Sequence, residues 1–246
     1  LEIDELIEKL TREVSEKIGP RSGTTPGFKE VRDLSSTLEY SMLNPDTTEK
    51  QLVAAFALAK KQRLANVCVS PYYTSLAAGY MRNSGVAVCV PVGFPHGAAS
   101  TAAKAAEIRE AVKNGATEFD VEMNILAIKS GCFDEAERDL AELVNLAKGK
   151  AVFKAIYEQG LLTEEERVKT LKMADACGVD YIKISNALTG KNACAEDVRF
   201  VRGIVAKSVG IKIDGGIRSA KTALELLKAG ANRFGVSKPE QILSGE

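Results

Sequence analysis

The feature that most limits what this chain can fold into is an alternation, repeated eight times, of short β-branched segments with longer helical patterns. The strand candidates are Thr37 to Ser41, Asn66 to Val69, Ala87 to Val92, Glu118 to Met123, Ala151 to Tyr157, Tyr181 to Ser185, Gly210 to Ile213 and Arg233 to Val236. Helical patterns fill the intervals, among them Thr48 to Gln62, Thr101 to Asn114, Phe133 to Lys148, Thr163 to Cys177 and Ser219 to Ala229. Gly115, Gly178 and Gly230 each follow such a pattern where a left-handed cap would end it. Eight βα units in 246 residues predict a (β/α)8 TIM barrel. A doubly wound open sheet is the competitor, but it normally has fewer strands, and no GxGxxG fingerprint follows the first strand here.

Ahead of the barrel, Leu1 to Ile18 reads as an amphipathic helix with Ile3, Leu6, Ile7, Leu10, Val14 and Ile18 on one stripe. The run from Gly19 to Gly27 ends it. The expected organisation is therefore an N-terminal helix and linker over residues 1–27, packed on a single barrel domain over 28–246.

Charge and cysteine usage narrow the function classes. Lys plus Arg equals Asp plus Glu at 33 each, so no global field recruits nucleic acid or an anionic membrane. No apolar run approaches the roughly 20 residues needed to span a bilayer, and no secretory signal is visible. Cys68, Cys89, Cys132, Cys177 and Cys194 form no CxxC pair and read as free thiols. A cytoplasmic protein is the expectation. His96 is the only histidine, so the usual histidine-rich zinc site cannot be built. A zinc site of carboxylates and cysteines alone stays open, and lysine with carboxylate is the expected carrier of the chemistry.

The segment Tyr181-Ile182-Lys183-Ile184-Ser185 places Tyr181, Lys183 and Ser185 on one strand face and the isoleucines on the other. A lysine on the inner face of such a strand is either ion-paired or tuned as a nucleophile towards carbonyls. Other strands carry polar residues in the same phase: Glu39 and Ser41; Asp120, Glu122 and Asn124; Lys154, Ile156 and Glu158; Lys212 and Asp214. In a barrel these converge on the C-terminal mouth, where the fold performs chemistry. Glu122 and Asp214 can also be read simply as counter-charges to neighbouring lysines.

On Lys183, Lys212 and Asp120, the chain resembles the deoxyribose-phosphate aldolases, lysine-dependent class I enzymes with a (β/α)8 barrel. The likeness runs from about Asp33 to Lys238. It is carried by Val67-Cys68-Val69-Ser70-Pro71, Val92-Gly93-Phe94-Pro95-His96-Gly97, Glu118-Phe119-Asp120, Glu158-Gln159-Gly160-Leu161-Leu162-Thr163, Ile182-Lys183-Ile184-Ser185, and Lys212-Ile213-Asp214-Gly215-Gly216-Ile217-Arg218. The resemblance implies retro-aldol cleavage of 2-deoxy-D-ribose 5-phosphate to D-glyceraldehyde 3-phosphate and acetaldehyde, within deoxyribonucleotide catabolism. Lys183 would form the Schiff base, and its iminium would be the electron sink, so that no metal and no cofactor is required. Lys212 would lower its pKa and share a proton relay with Asp120. Substrate contacts would come from Lys154, Glu39 and Ser185, and from Gly215, Gly216, Gly235 and Ser237 on the loops after strands seven and eight, where such barrels bind phosphate. Those glycines equally suit tight turns. Members of the family often form dimers.

The sequence departs from the family pattern at the site. Thr-Ser-Thr-Gly after the lysine becomes Ile184-Ser185-Asn186-Ala187, and Leu188 stands where some members carry lysine. Glu122 and Asp214 replace small or apolar residues, Glu39-Tyr40 replaces Asp-His, and Val236-Ser237-Lys238 replaces Thr-Ser-Ser. Weaker phosphate binding and a more strongly charged lysine follow. Two alternatives therefore accompany the active aldolase: an aldolase-like barrel that has lost activity and serves as a binding or scaffold protein for a protein partner, and a lysine aldolase whose substrate has shifted to another small aldehyde or to a sugar with no phosphate.

Overall fold

The computed structural model describes residues 34–186, 188–190, 192 and 194–244. The expected N-terminal helix and linker lie outside the described residues. Eight strands form one closed parallel barrel in sequence order: β1 (Leu38–Met42), β2 (Asn66–Val69), β3 (Ala87–Val92), β4 (Glu118–Glu122), β5 (Val152–Glu158), β6 (Tyr181–Ser185), β7 (Gly210–Asp214) and β8 (Arg233–Val236). Glu39 of β1 is in register with both Asn66 of β2 and Gly235 of β8, which closes the cylinder. A doubly wound sheet would leave two edges open, so that competitor is excluded.

The helices between strands are α1 (Glu49–Gln62), α2 (Thr74–Met81), α3 (Thr101–Lys113), α4 (Ile125–Lys129), α5 (Phe133–Ala147), α6 (Glu164–Cys177), α7 (Ala195–Ile204) and α8 (Ala220–Ala229), with α9 (Pro239–Leu243) after β8. Local sequence sets their ends. Thr48 and Thr163 close capping boxes with Gln51 and Glu166, and Ser219 accepts from the amide of Thr222. These caps explain why each helix starts one residue later than its sequence pattern. Gly178 and Gly230 end α6 and α8 in the left-handed conformation, at φ 79° and 112°.

Alternation along the strands sorts the side chains into two environments. Val67, Val90, Phe119, Val121, Phe153, Tyr157, Ile182, Ile184, Ile211, Ile213 and Phe234 are buried within the apolar core. Their phase points them outward, so the core is an annulus between strands and helices. Glu39, Asn66, Glu118, Asp120, Glu122, Lys154, Lys183 and Lys212 have the opposite phase and are also buried. Barrel interiors are usually filled by branched apolar residues. This lumen is filled by ions.

One further buried ion pair ties helices to the barrel rim. Lys104 of α3, fully buried, bonds Asp139 of α5 at 2.6 Å and donates to the backbone carbonyl of Glu122 at 3.2 Å. Thr101 donates to the other oxygen of Asp139 at 2.8 Å. The C-terminal end of β4 is thereby anchored from outside.

Candidate active site

Position along the strands ranks the lumen residues from the floor to the C-terminal mouth. At the floor, Asn66 donates to Glu118 at 2.6 Å, and the Arg233 guanidinium lies 3.8 Å from Glu118 and 3.6 Å from Glu39. Above it, the Lys154 ammonium meets Glu118 at 2.5 Å, Asp120 at 3.3 Å and Glu39 at 3.6 Å. Lys212 is held by Glu39 at 2.5 Å and Asp120 at 2.6 Å, with Asp214 at 3.7 Å. Nearest the mouth, Lys183 bonds Asp120 at 2.8 Å and Asp214 at 2.5 Å. Register sets these neighbours: Lys183 pairs with Lys212 across β6 and β7, and Asp120 pairs with Lys154 across β4 and β5.

Four cations (Lys154, Lys183, Lys212, Arg233) thus face four carboxylates (Glu39, Glu118, Asp120, Asp214). Burial alone would neutralise most of these groups, but the mutual pairing reverses that. Burial pushes Asp120 up, yet Lys183, Lys212 and Lys154 together hold it well below the usual carboxylate range. Burial pulls Lys212 and Lys154 down, and the surrounding acids lift both well above an ordinary lysine.

The resemblance implies that Lys212 lowers the pKa of Lys183, whereas the added carboxylates predict a more strongly charged amine, and the second effect prevails. Burial and the like charge of Lys212 do depress its pKa, but Asp120 and Asp214 outweigh them, and the net shift is upward. The reason is proximity: both carboxylates touch the amine directly. Asp214 is also the one of the four carboxylates with substantial exposure, at 25% against 0–5% for the others. The carboxyl of Glu122, a further inward acid on β4, meets no cation at contact distance among the described residues. Burial raises its pKa to about 8, so it stays protonated at neutral pH.

Of the candidate residues, Lys183, Lys212, Asp120, Lys154 and Glu39 form this single network. Ser185 is buried beside it and donates to Glu158. The remaining candidates are arranged otherwise, and Gly235, expected on the loop after strand eight, lies within β8. Gly215 is exposed, with open space where a side chain would project. At Gly216 a Cβ would come within 2.4 Å of the Asn192 side chain. At Gly235 it would lie 1.7 Å from Asp214 Oδ1. The room that Gly235 provides is thus filled by the Asp214 carboxylate, its register partner on β7. Ser237 is exposed, and Ala187 lies outside the described residues. Beside the lysines, a cleft of about 270 Å³, counting its open solvent, is lined by His96, Glu122, Ile156, Glu158 and Leu188.

Asn124 leaves the inward face on which sequence alternation put it. β4 ends at Glu122, and the Asn124 side chain instead caps α4 by accepting from Ala127. Glu118, Asn66, Cys89 and Arg233 join the network without having been singled out. Their inward phase was readable: Glu118 precedes Asp120 by two residues. Cys68, Cys89 and Asp120, and likewise Glu39, Cys89 and Glu118, lie close enough together to ligate a cation. The Lys154 ammonium, 3.5 Å from the Cys89 sulfur and in contact with all three acids, already supplies the charge such donors require.

Fold and site define a (β/α)8 barrel whose lysines and carboxylates converge at its C-terminal mouth. Comparison with known proteins narrows this. Deoxyribose-phosphate aldolase of Clostridium tetani is 40% identical over 83% of this chain and 95% of its own length. Deoxyribose-phosphate aldolase 1 of Oceanobacillus iheyensis is 38% identical over 87% of this chain and 97% of its own. The solved deoxyribose phosphate aldolase of Aeropyrum pernix, a tetramer, superposes with a TM-score of 0.80 at 28% identity, covering 87% of this chain and 91% of that one. A family model described as a histidine biosynthesis protein matches residues 141–240, from within α5 to α9 and less than half of the chain. The chain belongs to the deoxyribose-phosphate aldolase family.

Proposed function

We propose that this protein is a class I aldolase that cleaves 2-deoxy-D-ribose 5-phosphate through a Schiff base on Lys183, a step in deoxyribonucleotide catabolism in the cytoplasm. The observation that carries this reading is the Lys183 amine at the barrel mouth, in contact with Asp120 and beside Lys212. In the proposed cycle the amine, freed of its proton, attacks the C1 aldehyde of the open-chain sugar. Loss of water leaves an iminium ion. A base removes the proton of the C3 hydroxyl, the C2–C3 bond breaks, and its electron pair enters the iminium as an enamine. D-Glyceraldehyde 3-phosphate departs. Protonation of the enamine carbon and hydrolysis release acetaldehyde and restore the amine. Asp120 and Lys212 share one hydrogen bond of 2.6 Å and both reach Lys183 or its carboxylate partner, which suits them to move these protons.

Borohydride trapping with acetaldehyde or the sugar phosphate, followed by peptide mapping, tests the reading. The expected result is a reduced adduct on Lys183, absent from a Lys183→Met variant shown by circular dichroism to be folded. A second reading is favoured by one observation. Asp214, 2.5 Å from the same amine, keeps it charged and therefore poorly nucleophilic. On that reading the barrel is a catalytically silent member that binds a protein partner, and a folded chain giving no adduct would select it.

A further inference from the structure

Glu122 is the inward acid of β4 that the ion network leaves out, although it stands close to the reacting amine. Register sets Glu122 beside Ile156 on β5 and Ile156 beside Lys183 on β6, so acid and amine flank one apolar side chain in a single row of the lumen. Glu122 and Ile156 both line the cleft beside the lysines. The loop after β3 packs against the acid: Gly93 and Gly97 have φ of 64° and 63°, and a Cβ on them would lie 3.8 and 3.3 Å from the Glu122 Cβ. Charged and titratable groups face Glu122 from every side: Lys183 from β6, Glu158 from β5, Asp120 from its own strand, Lys104 from α3 and His96 from the loop after β3. Lys104 is committed to Asp139 and to the Glu122 backbone carbonyl. Burial outweighs the pull of Lys183, and the carboxyl keeps its proton at neutral pH. Schiff-base formation has a step that uses such a group. Attack of the amine on an aldehyde gives a carbinolamine, whose hydroxyl leaves as water once it is protonated. Asp120, in contact with the ammonium groups of Lys183, Lys212 and Lys154, is held as a carboxylate and has no proton of its own to give.

We infer that Glu122 is a further catalytic residue of this chain, the general acid that dehydrates the carbinolamine on Lys183. Its proton passes to the carbinolamine oxygen, the C–O bond breaks, water departs, and the nitrogen lone pair closes the C=N bond. The Glu122 carboxylate is left facing the iminium cation. On hydrolysis it takes the proton back from the attacking water. The inference rests on the proposed Schiff-base aldolase reading and deepens it. The substrate, the bond broken and the roles of Lys183, Lys212 and Asp120 are unchanged.

The test times the reaction of the intact chain with acetaldehyde, which passes through the same kind of carbinolamine. Borohydride quenching at successive intervals, with peptide mapping, gives the rate at which the Lys183 adduct rises and the level it reaches. Glu122→Gln and Glu122→Val are compared with the native chain, each first checked for folding by circular dichroism. A general acid speeds formation and hydrolysis alike, and glutamine carries the same charge as the protonated acid. Glu122→Gln is therefore expected to slow the rise at pH 7 by about tenfold or more while reaching the native level, and Glu122→Val to slow it likewise. The ratio of native to Glu122→Gln rate is expected to fall towards one as pH rises through about 8, where the acid loses its proton. A ratio near one at pH 7, or a rate lost together with the final level, overturns the inference. Adduct formed at native speed by a folded variant leaves the aldolase reading standing and removes this one. No adduct on the folded native chain removes both.

Discussion

Replacing Glu122 by Gln should make the protein's stability nearly flat with pH across a range in which the native chain loses stability. Glu122 is 3% exposed on the inward face of β4, and burial moves its pKa from an ordinary 4.5 to about 8. This is an acid with a raised folded value, so the sign is opposite to that of a salt-bridged carboxylate. Below pH 4.5 both folded and unfolded chains hold the proton, and no penalty exists. Between 4.5 and about 8 the unfolded chain has released it while the folded chain retains it, so stability falls as pH rises. At about 1.4 kcal/mol per pH unit, the full loss is on the order of 5 kcal/mol, with relaxation and water entry reducing it. Urea unfolding of the native chain and Glu122→Gln, measured at intervals from pH 5 to 9, reads this directly. The stability difference should shift by several kcal/mol in favour of the variant up to about pH 8 and then level off. A difference that stays within about 1 kcal/mol over the range would show that Glu122 ionises freely, and would refute a protonated acid at the mouth.

Two further outcomes follow from the lumen. Asp120→Asn leaves Lys183, Lys212 and Lys154 short of a shared carboxylate that is fully buried, and should cost about 3–5 kcal/mol in urea unfolding at neutral pH, with Asp120→Asn/Lys212→Met recovering part of it; a loss below about 1 kcal/mol would contradict a tightly coupled network. Gly235→Ala should cost about 1–3 kcal/mol of stability because its Cβ would lie 1.7 Å from Asp214 Oδ1, and Gly235→Ala/Asp214→Ala should restore most of the loss; an equally unstable double variant would place the strain elsewhere.

Much of the fold was legible because its signals are local. The limits of β2, β3, β6 and β8 coincide with those of their β-branched runs, and the starts of α1, α6 and α8 are displaced by one residue because Thr48, Thr163 and Ser219 are caps. The site was legible to the extent that strand phase is local: Lys183, Lys212, Asp120, Lys154 and Glu39 were found from inward phase and family motifs. What could not be read depends on closure and register. The bond between Lys212 and Glu39 spans 173 positions and exists only because β8 joins β1. That added carboxylates would leave Lys183 more strongly charged was readable, but the direct contact of Asp214 with its amine was not, because strand phase alone does not fix it. That Gly235 faces Asp214 across β7 and β8 could not be read from its motif, because the pairing is set by register.

The Asp214 and Gly235 arrangement has a consequence for how such a barrel changes over time. With a side chain at 235, the carboxylate at 214 would have to move from its present place. A side chain at 235 is therefore acquired at lower cost once 214 is small. The two positions lie on neighbouring strands, 21 apart in the chain, and constrain each other's history as a lock constrains its key. In a lumen where each charge is balanced by a neighbour, divergence proceeds by paired replacement, and the order within each pair is set by which intermediate still closes the barrel.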